Sequence, residues 1–165
     1  VLFRSHHRPT KRKLKKGDLV QIDMGVKVED YCSDCSRVFF TKKPTKEQKS
    51  VFDLLVKIVK ETTAMAKPGI SNAALDRRAC EMLKQEGYEQ YFLHSLGHGV
   101  GLDVHEGVNL SSRSKSKAFK KVKLLPNEVI TTEPGVYFAG KWGMRVEDTI
   151  IVRKNGGMRL TKVRY

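Results

Sequence analysis

The 165-residue sequence has few cysteines, few acidic residues relative to basic ones, and no long apolar run. Its three cysteines are an odd number, which argues against a disulfide framework and favours a reducing compartment, the cytoplasm. The apolar runs are only a few residues long, as at residues 149–152, so no stretch is expected to cross a bilayer. The opening VLFRSHHRP lacks the apolar core of a signal peptide.

The composition is that of a globular protein with a strongly basic surface. Hydrophobic residues make up 39% of the chain and charged residues 30%, which suits one domain with a core of its own. The net charge of +14 invites a nucleic-acid partner. However, the basic residues are scattered, apart from clusters at residues 11–16 and 111–123, and such runs are usually solvated. We therefore expect no specific nucleic acid and no membrane as partner.

The first third of the chain predicts a β-hairpin. Residues 18–28 and 31–40 are rich in β-prone side chains, and Glu29 and Asp30 lie between them as a turn. The two segments are expected to pair as long antiparallel strands.

Two amphipathic helices are predicted next. Thr45 and Gln48 have the spacing of a capping box, and apolar residues at helical spacing follow as far as about residue 66. Ser71 is predicted to cap the second helix, which Gly87 ends.

The last third of the chain predicts three more strands. They cover residues 128–137, 144–152 and 158–163, with Gly156 and Gly157 as a hairpin turn between the last two. The order of strands, helices and strands indicates an α+β fold with an antiparallel sheet.

Four carboxylates lie in these β-rich, half-buried segments: Asp23, Asp34, Glu133 and Glu147. Burying an unpaired carboxylate is costly, so each needs a partner. The hairpin is predicted to bring Asp23 and Asp34 face to face, and two cations between such groups would remove their repulsion. Pairing with lysine or arginine explains any single one of them as well. For all four together with a histidine, a metal site is favoured.

A glycine-rich segment carries three histidines, His94, His98 and His105. A four-residue spacing places two imidazoles on one face only in a helix, and the glycines argue against a helix here. We therefore predict a flexed segment that exposes His98 between Gly97 and Gly99, with the other two histidines at the rim of a site. Three unrelated surface histidines are the alternative, which explains the cluster poorly.

Four blocks in this order resemble the pita-bread metallopeptidases of the creatinase and methionine aminopeptidase superfamily. They are IDMG with YCSDCSR, GHGVGLDVHE, TTEPGVY and GMRVEDT. His94, four residues before His98, and Arg145, two before Glu147, are typical of the Xaa-Pro dipeptidase and aminopeptidase P branch. The resemblance implies the pita-bread fold and hydrolysis of the Xaa-Pro bond, in dipeptides or at the N-terminus of peptides.

The resemblance also implies a set of metal ligands. Asp23, Asp34, His98, Glu133 and Glu147 match the five ligands of two divalent ions, with Asp34 and Glu147 as bridges. Oxygen-rich ligation with one imidazole favours manganese and tolerates cobalt, iron or zinc. Short proline-containing peptides are the expected partners.

Three residues carry over as groups that act on the substrate. Glu133 is expected to take a proton from the nucleophile and pass it to the leaving proline nitrogen. His94 and His105 are expected to donate hydrogen bonds to the substrate and to the developing oxyanion.

Two further assignments follow from the same resemblance. Arg145 is expected to orient Glu147 or Asp34. His6 matches another active-site histidine of this branch, although His7 is adjacent and is an alternative.

The chain also departs from the pattern of this branch. Asp30 stands where a glycine usually precedes the tyrosine of the second strand. Residues 1–165 are expected to form a pita-bread peptidase domain that lacks its N-terminal part. Apolar surface left uncovered in this way would favour self-association into a homodimer.

Two other functions compete with this prediction. Non-catalytic pita-bread proteins act as chaperones or associate with nucleic acids, and the basic charge fits them, but they lack the ligands that are present here. A methionine aminopeptidase is disfavoured by His94 and by the LDVHE block.

Overall fold

The computed structural model describes residues 11–116 and 119–165, in which two helices pack against short antiparallel sheets. In chain order the elements are β1 (Leu19–Met24), β2 (Lys27–Val28), β3 (Tyr31–Cys32), β4 (Cys35–Phe40), α1 (Lys46–Met65), α2 (Asn72–Gln85), a 3₁₀ turn (Glu89–Tyr91), β5 (Gly97–Gly99), β6 (Glu106–Leu110), β7 (Val129–Thr132), β8 (Gly135–Phe138), β9 (Trp142–Arg145), β10 (Asp148–Ile151) and β11 (Met158–Arg159). All strand pairs between these elements are antiparallel, which confirms the predicted α+β class. No described helix is both long enough and apolar enough to cross a membrane.

Helix α1 begins with the predicted capping box. The Thr45 hydroxyl accepts from the Gln48 backbone N–H at 3.1 Å, and the Gln48 side chain accepts from the Thr45 N–H at 2.9 Å. These two bonds satisfy donors that a helix start leaves without partners. The buried side chains of α1 recur at helical spacing and face the core: Val51, Leu55, Ile58, Val59 and Thr62.

Helix α2 begins at the predicted place but by another contact. Ser71 is the N-cap, yet within the described chain its hydroxyl makes no capping hydrogen bond. Instead the buried Asn72 side chain accepts from the N–H groups of Ala73, at 2.9 Å, and Val122, at 3.1 Å. The helix start is thereby joined to a segment fifty residues later. At its other end Gly87 has a φ of +78°, as expected for a helix stop.

The predicted strands are shorter in the structure, because most of them change partner along their length. Residues 18–28 and 31–40 form four strands, of which β1 pairs with β4 and β2 with β3. Residues 128–137 divide into β7, which pairs with β5 and β10, and β8, which pairs with β9. The segments predicted at 144–152 and 158–163 give β9 with β10 and the two-residue β11. The prediction of long uninterrupted strands was therefore wrong.

The turn between β2 and β3 has the predicted two-residue loop. Glu29 and Asp30 have φ values of 46° and 67°, the left-handed conformation that two-residue hairpins need. Aspartate adopts this conformation more readily than most residues, which explains how Asp30 replaces a glycine here.

The hydrophobic core lies between the two helices and a five-stranded sheet of order β11-β10-β7-β5-β6. Its fully buried apolar side chains come from helices and strands alike and include Leu55, Ile58, Leu75, Leu83, Leu96, Leu110, Ile130, Met144 and Ile150. The β1–β4 sheet lies to one side and exposes Ile22, Met24 and Phe39. Apolar surface of the kind expected to drive self-association is thus present, and the homodimer stays a prediction.

The two helix starts give a paired test of capping. Thr45→Ala removes a side chain that closes the capping box, and we expect it to lower the free energy of unfolding by about 1 kcal/mol. Ser71→Ala removes a hydroxyl outside any capping bond and should change it by less than about 0.5 kcal/mol. Urea unfolding of both variants measures the difference, and equal losses would contradict this account of the two caps.

Candidate metal centre

Three of the four predicted carboxylate ligands lie where a strand breaks. Asp34 separates β3 from β4, Glu133 separates β7 from β8, and Glu147 separates β9 from β10. Within a regular strand successive side chains point to opposite faces. A break frees the side chain from that alternation, so carboxylates from three strand breaks can face a single cavity.

The predicted site residues within the described ranges meet at one cavity of about 400 Å³. Ligand atoms of Asp34, His98 and Glu147 all lie within 4.8 Å of one another. His98 Nε2 lies 3.5 Å from Glu133 Oε1. The cavity is lined by every predicted site residue in those ranges: Asp23, Asp34, His94, His98, His105, Glu133, Arg145 and Glu147. His6 falls outside the described residues.

Asp23 reaches the cavity from β1 in a different register from the one expected. It pairs with Ser36, so Asp34 lies two residues from the directly opposite position. The expectation that the two aspartates face each other was wrong, because Asp34 lies in the break between β3 and β4, outside the paired residues of β1 and β4. Asp23 lies at the exposed rim, where it accepts a hydrogen bond from Arg145.

His98 is held as a neutral imidazole with one nitrogen turned to the carboxylates. Its Nδ1 lies 3.0 Å from the carbonyl oxygen of Gly99, so Nδ1 carries the hydrogen. Burial lowers the pKa of His98, which favours the neutral ring. Nε2 therefore presents its lone pair, 3.6 Å from Asp34 and 3.5 Å from Glu133. This is the form in which histidine binds metals, with the other nitrogen on a backbone carbonyl.

The backbone around His98 depends on a close approach of two strands. A Cβ at Gly97 would lie 2.2 Å from the Thr131 carbonyl oxygen, so only glycine fits there. The His98 N–H donates to the Thr131 hydroxyl at 3.1 Å, and the β5–β6 register shifts between His98 and Gly99. Such irregularities redirect a side chain out of the pleat. The predicted flexed segment is thus a short, bulged strand.

The carboxyl groups of the cavity repel one another. Burial raises the pKa of Glu147 to about 8, and the negative charge of Asp34 adds to the rise. Burial also raises the pKa of Glu133 well above its usual range, with Glu147 as the next cause. The pKa of Asp34 is raised by burial and then by Asp23. Without a cation the buried carboxyl groups therefore favour their protonated forms, and a bound cation would favour the charged forms.

Arg145 joins two of these carboxylates through a buried guanidinium. It donates to Asp23 directly, and its Nε donates to the Ser36 hydroxyl at 3.1 Å. Ser36 in turn donates to Glu147 Oε2 at 2.8 Å. Arg145 thus contacts Glu147 through Ser36, a residue that the sequence analysis missed. In the register of β1 and β4, Ser36 lies directly opposite Asp23, and this position is the signal that could have identified it.

His94 has a second partner that the sequence did not indicate. Its Nδ1 lies 2.8 Å from the Ser95 carbonyl oxygen and therefore carries the hydrogen, while burial lowers its pKa to about 4. Nε2 lies 2.6 Å from the Tyr137 hydroxyl, so the neutral ring accepts a hydrogen bond from Tyr137. Tyr137 also accepts from Arg145 Nη1 at 3.1 Å. In this arrangement His94 is an acceptor, whereas a donor to substrate was expected.

His105 completes the group on the open side. Its ring packs against that of His98 at an interplanar angle of 37°, with centroids 4.0 Å apart. His105 is exposed and lines the cavity.

Residues 4–154 match metallopeptidase family M24. The chain is 38% identical to an Xaa-Pro dipeptidase of Pyrococcus furiosus over 95% of its own length and 43% of that protein. It superimposes on a prolidase structure from Pyrococcus furiosus with a TM-score of 0.88 at 37% identity, covering 94% of this chain and 44% of that one. For an X-Pro aminopeptidase structure from Thermotoga maritima the TM-score is 0.88 at 36% identity, covering 97% and 43%.

These likenesses confirm the pita-bread fold that the sequence motifs predicted. The chain spans less than half the length of the curated relatives it matches.

The raised carboxyl pKa values predict a pH-dependent stability of the metal-free chain. Between about pH 7.5 and 8.5 an unfolded histidine is largely neutral, and burial keeps His94 and His98 neutral when folded, but Glu147 keeps its proton only in the folded state. The folded state then binds more protons than the unfolded one, so stability falls as pH rises. We expect the thermal midpoint in a chelator to fall across this window, and Glu147→Gln to reduce the fall. A flat profile would contradict the raised pKa of Glu147.

Proposed function

This chain belongs to metallopeptidase family M24, and we propose that it forms the metal-binding part of an enzyme that hydrolyses the Xaa-Pro bond. The substrates proposed are Xaa-Pro dipeptides and short peptides with proline in second place, as the names of its relatives suggest. The observation that carries the proposal is the meeting of four carboxylates and one neutral imidazole at a single cavity.

The cavity residues fit two divalent cations. Burial and neighbouring carboxylates raise the pKa values of Asp34, Glu133 and Glu147, so a cation would stabilise their charged forms. His98 Nε2 lies 3.6 Å from Asp34 in the same cavity. We propose manganese, because four carboxylates and one imidazole form an oxygen-rich set. Such ions, when bound, polarise a carbonyl and lower the pKa of water. Asp23, Asp34, His98, Glu133 and Glu147 would hold them.

Two other roles, proton transfer and stabilisation of the developing negative charge, fall to side chains around the cavity. Glu133 lies 3.5 Å from His98 and 3.6 Å from Arg145, where its carboxylate can take a proton from the attacking water. The same group would return that proton to the proline nitrogen as the bond breaks. His105, on the open side, would donate to the oxygen that gains negative charge.

The Arg145 network orients these groups. Arg145 holds Asp23 directly and Glu147 through Ser36, and it donates to Tyr137. Partners of this kind fix the direction of metal-ligating side chains. Tyr137, whose pKa burial raises to about 12, stays protonated at neutral pH and keeps its hydrogen bond to His94.

The cytoplasm is the proposed compartment. Cys32, Cys35 and Cys80 are free thiols in the structure. Unpaired cysteines persist where glutathione and thioredoxin keep them reduced.

The decisive experiment measures hydrolysis and metal binding together. With added manganese we expect turnover of an Xaa-Pro dipeptide, an Xaa-Pro-Xaa tripeptide or both, and two ions per chain. Asp34→Ala should abolish turnover and lower the metal count, because Asp34 is a proposed ligand that lies next to His98 and Glu147. Asp53→Ala, which removes an exposed carboxylate of α1, is the matched control and should leave both unchanged.

Absence of bound metal would contradict the proposal, because it would exclude a dinuclear site in this chain. Two bound ions without turnover would support the metal site but contradict the expectation that this chain is active by itself. Turnover of a Met-Ala peptide but not of Xaa-Pro substrates would reassign it to the methionine aminopeptidases.

A further inference from the structure

A fully buried carboxylate lies behind the histidine segment, outside the cavity. Asp76 of α2 accepts hydrogen bonds from the Leu96 N–H at 3.0 Å and from both the N–H and hydroxyl of Ser112 at 2.6 Å. Its Oδ1 lies 3.5 Å from the guanidinium of Arg113. Asp76 has no part in the chemistry proposed above, so its burial needs another reason.

Arg113 joins this carboxylate to the backbone that carries His94. Nη1 donates to the Phe92 carbonyl at 2.8 Å and Nη2 to the His94 carbonyl at 2.6 Å. The guanidinium also lies over the Phe92 ring, 4.5 Å from its centroid, and that ring meets the His94 imidazole edge-on. The conformation of residues 92–94 is thus fixed from the side opposite the cavity.

Leu96 connects Asp76 to Glu133. Its N–H is held by Asp76, while its carbonyl accepts from the Glu133 N–H at 2.7 Å. Leu96 also lies midway between His94 and His98 in the chain. A shift of Leu96 would therefore move the backbone of two proposed ligands and of His94 together.

The Leu96 N–H does not depend on Asp76 alone for a hydrogen-bond partner. The Leu96 N–H also bonds to the Leu110 carbonyl at 2.9 Å, so the strand pairing satisfies this donor without Asp76. Well-packed apolar residues often replace buried ion pairs with no loss of stability. What the ion pair adds is direction, because a carboxylate and a guanidinium fix several backbone groups at defined angles.

We propose that Asp76 and Arg113 are positioning residues for the metal centre, which set the places of His94, His98 and Glu133. The proposal rests on the proposed function for its effect on turnover. Its effects on metal affinity and on the histidine rings are independent of peptidase activity.

The test compares Asp76→Asn with the wild-type chain. We expect manganese affinity, measured by calorimetry, to fall by roughly 10- to 100-fold, the usual effect of losing a group that orients ligands. Without metal, NMR of the ring Nδ1–H groups of His94 and His98 should show shifted or lost signals. Arg113→Lys, which keeps the charge but loses the forked donor, should fall between wild type and Arg113→Met.

The matched control is Glu61→Gln. It breaks the Arg78–Glu61 pair, whose members lie on α2 and α1 and not on the histidine segment. This variant should keep the wild-type metal affinity and histidine signals.

Two results would overturn the proposal. One is a folded Asp76→Asn protein with wild-type manganese affinity and unchanged histidine signals. The other applies if Asp76→Asn does not fold: it is a folded Arg113→Met protein with wild-type manganese affinity and unchanged histidine signals. A wild-type chain that binds no metal would refute the proposed function, and the histidine signals alone would then decide the positioning role.

Discussion

Carboxylates from three strand breaks face one small cavity, and their repulsion constrains everything around it. Among the described residues that line this cavity, Arg145 is the basic side chain with a permanent charge, and it is committed to Asp23, Ser36 and Tyr137. Burial, and after it the charge of neighbouring carboxylates, raises the pKa values of Glu133 and Glu147. Helices, sheets and the Asp76–Arg113 pair hold these groups together against that repulsion, in an arrangement that cations would relieve.

The general architecture could be predicted from local signals. Apolar spacing and capping residues located both helices to within a residue or two, since these signals reside in the segment itself. The strand breaks could not be predicted in this way. Residues such as Val129, Ile130 and Val136 favour a strand on both sides of Glu133, and only the different partners of β7 and β8 divide them. The breaks are a tertiary effect, and they are also what directs the ligands.

The sequence indicated which side chains line the cavity, but not most of the hydrogen bonds between them. Residue types and motif order identified the groups that line the cavity, because their chemistry is visible in the sequence. Ser36, Tyr137 and Asp76 act through contacts between distant parts of the chain, such as the 111-residue separation between Ser36 and Glu147. The two histidines show the difference. In both His94 and His98 the Nδ1 hydrogen bonds to the carbonyl oxygen of the next residue. However, Nε2 of His94 lies against a tyrosine hydroxyl, whereas Nε2 of His98 lies near carboxylates.

The crowding of acidic groups also bears on how such a chain can change over generations. Under the proposed function, a neutral residue in place of one cavity carboxylate would end catalysis but remove repulsion, so the fold would gain stability at the step where activity is lost. Stability and function trade off in this way wherever a site stores unfavourable charge. If hydrolysis were no longer needed, this repulsion would favour loss of the proposed ligands. The presence of all five proposed ligands in this chain therefore fits the proposed metal site.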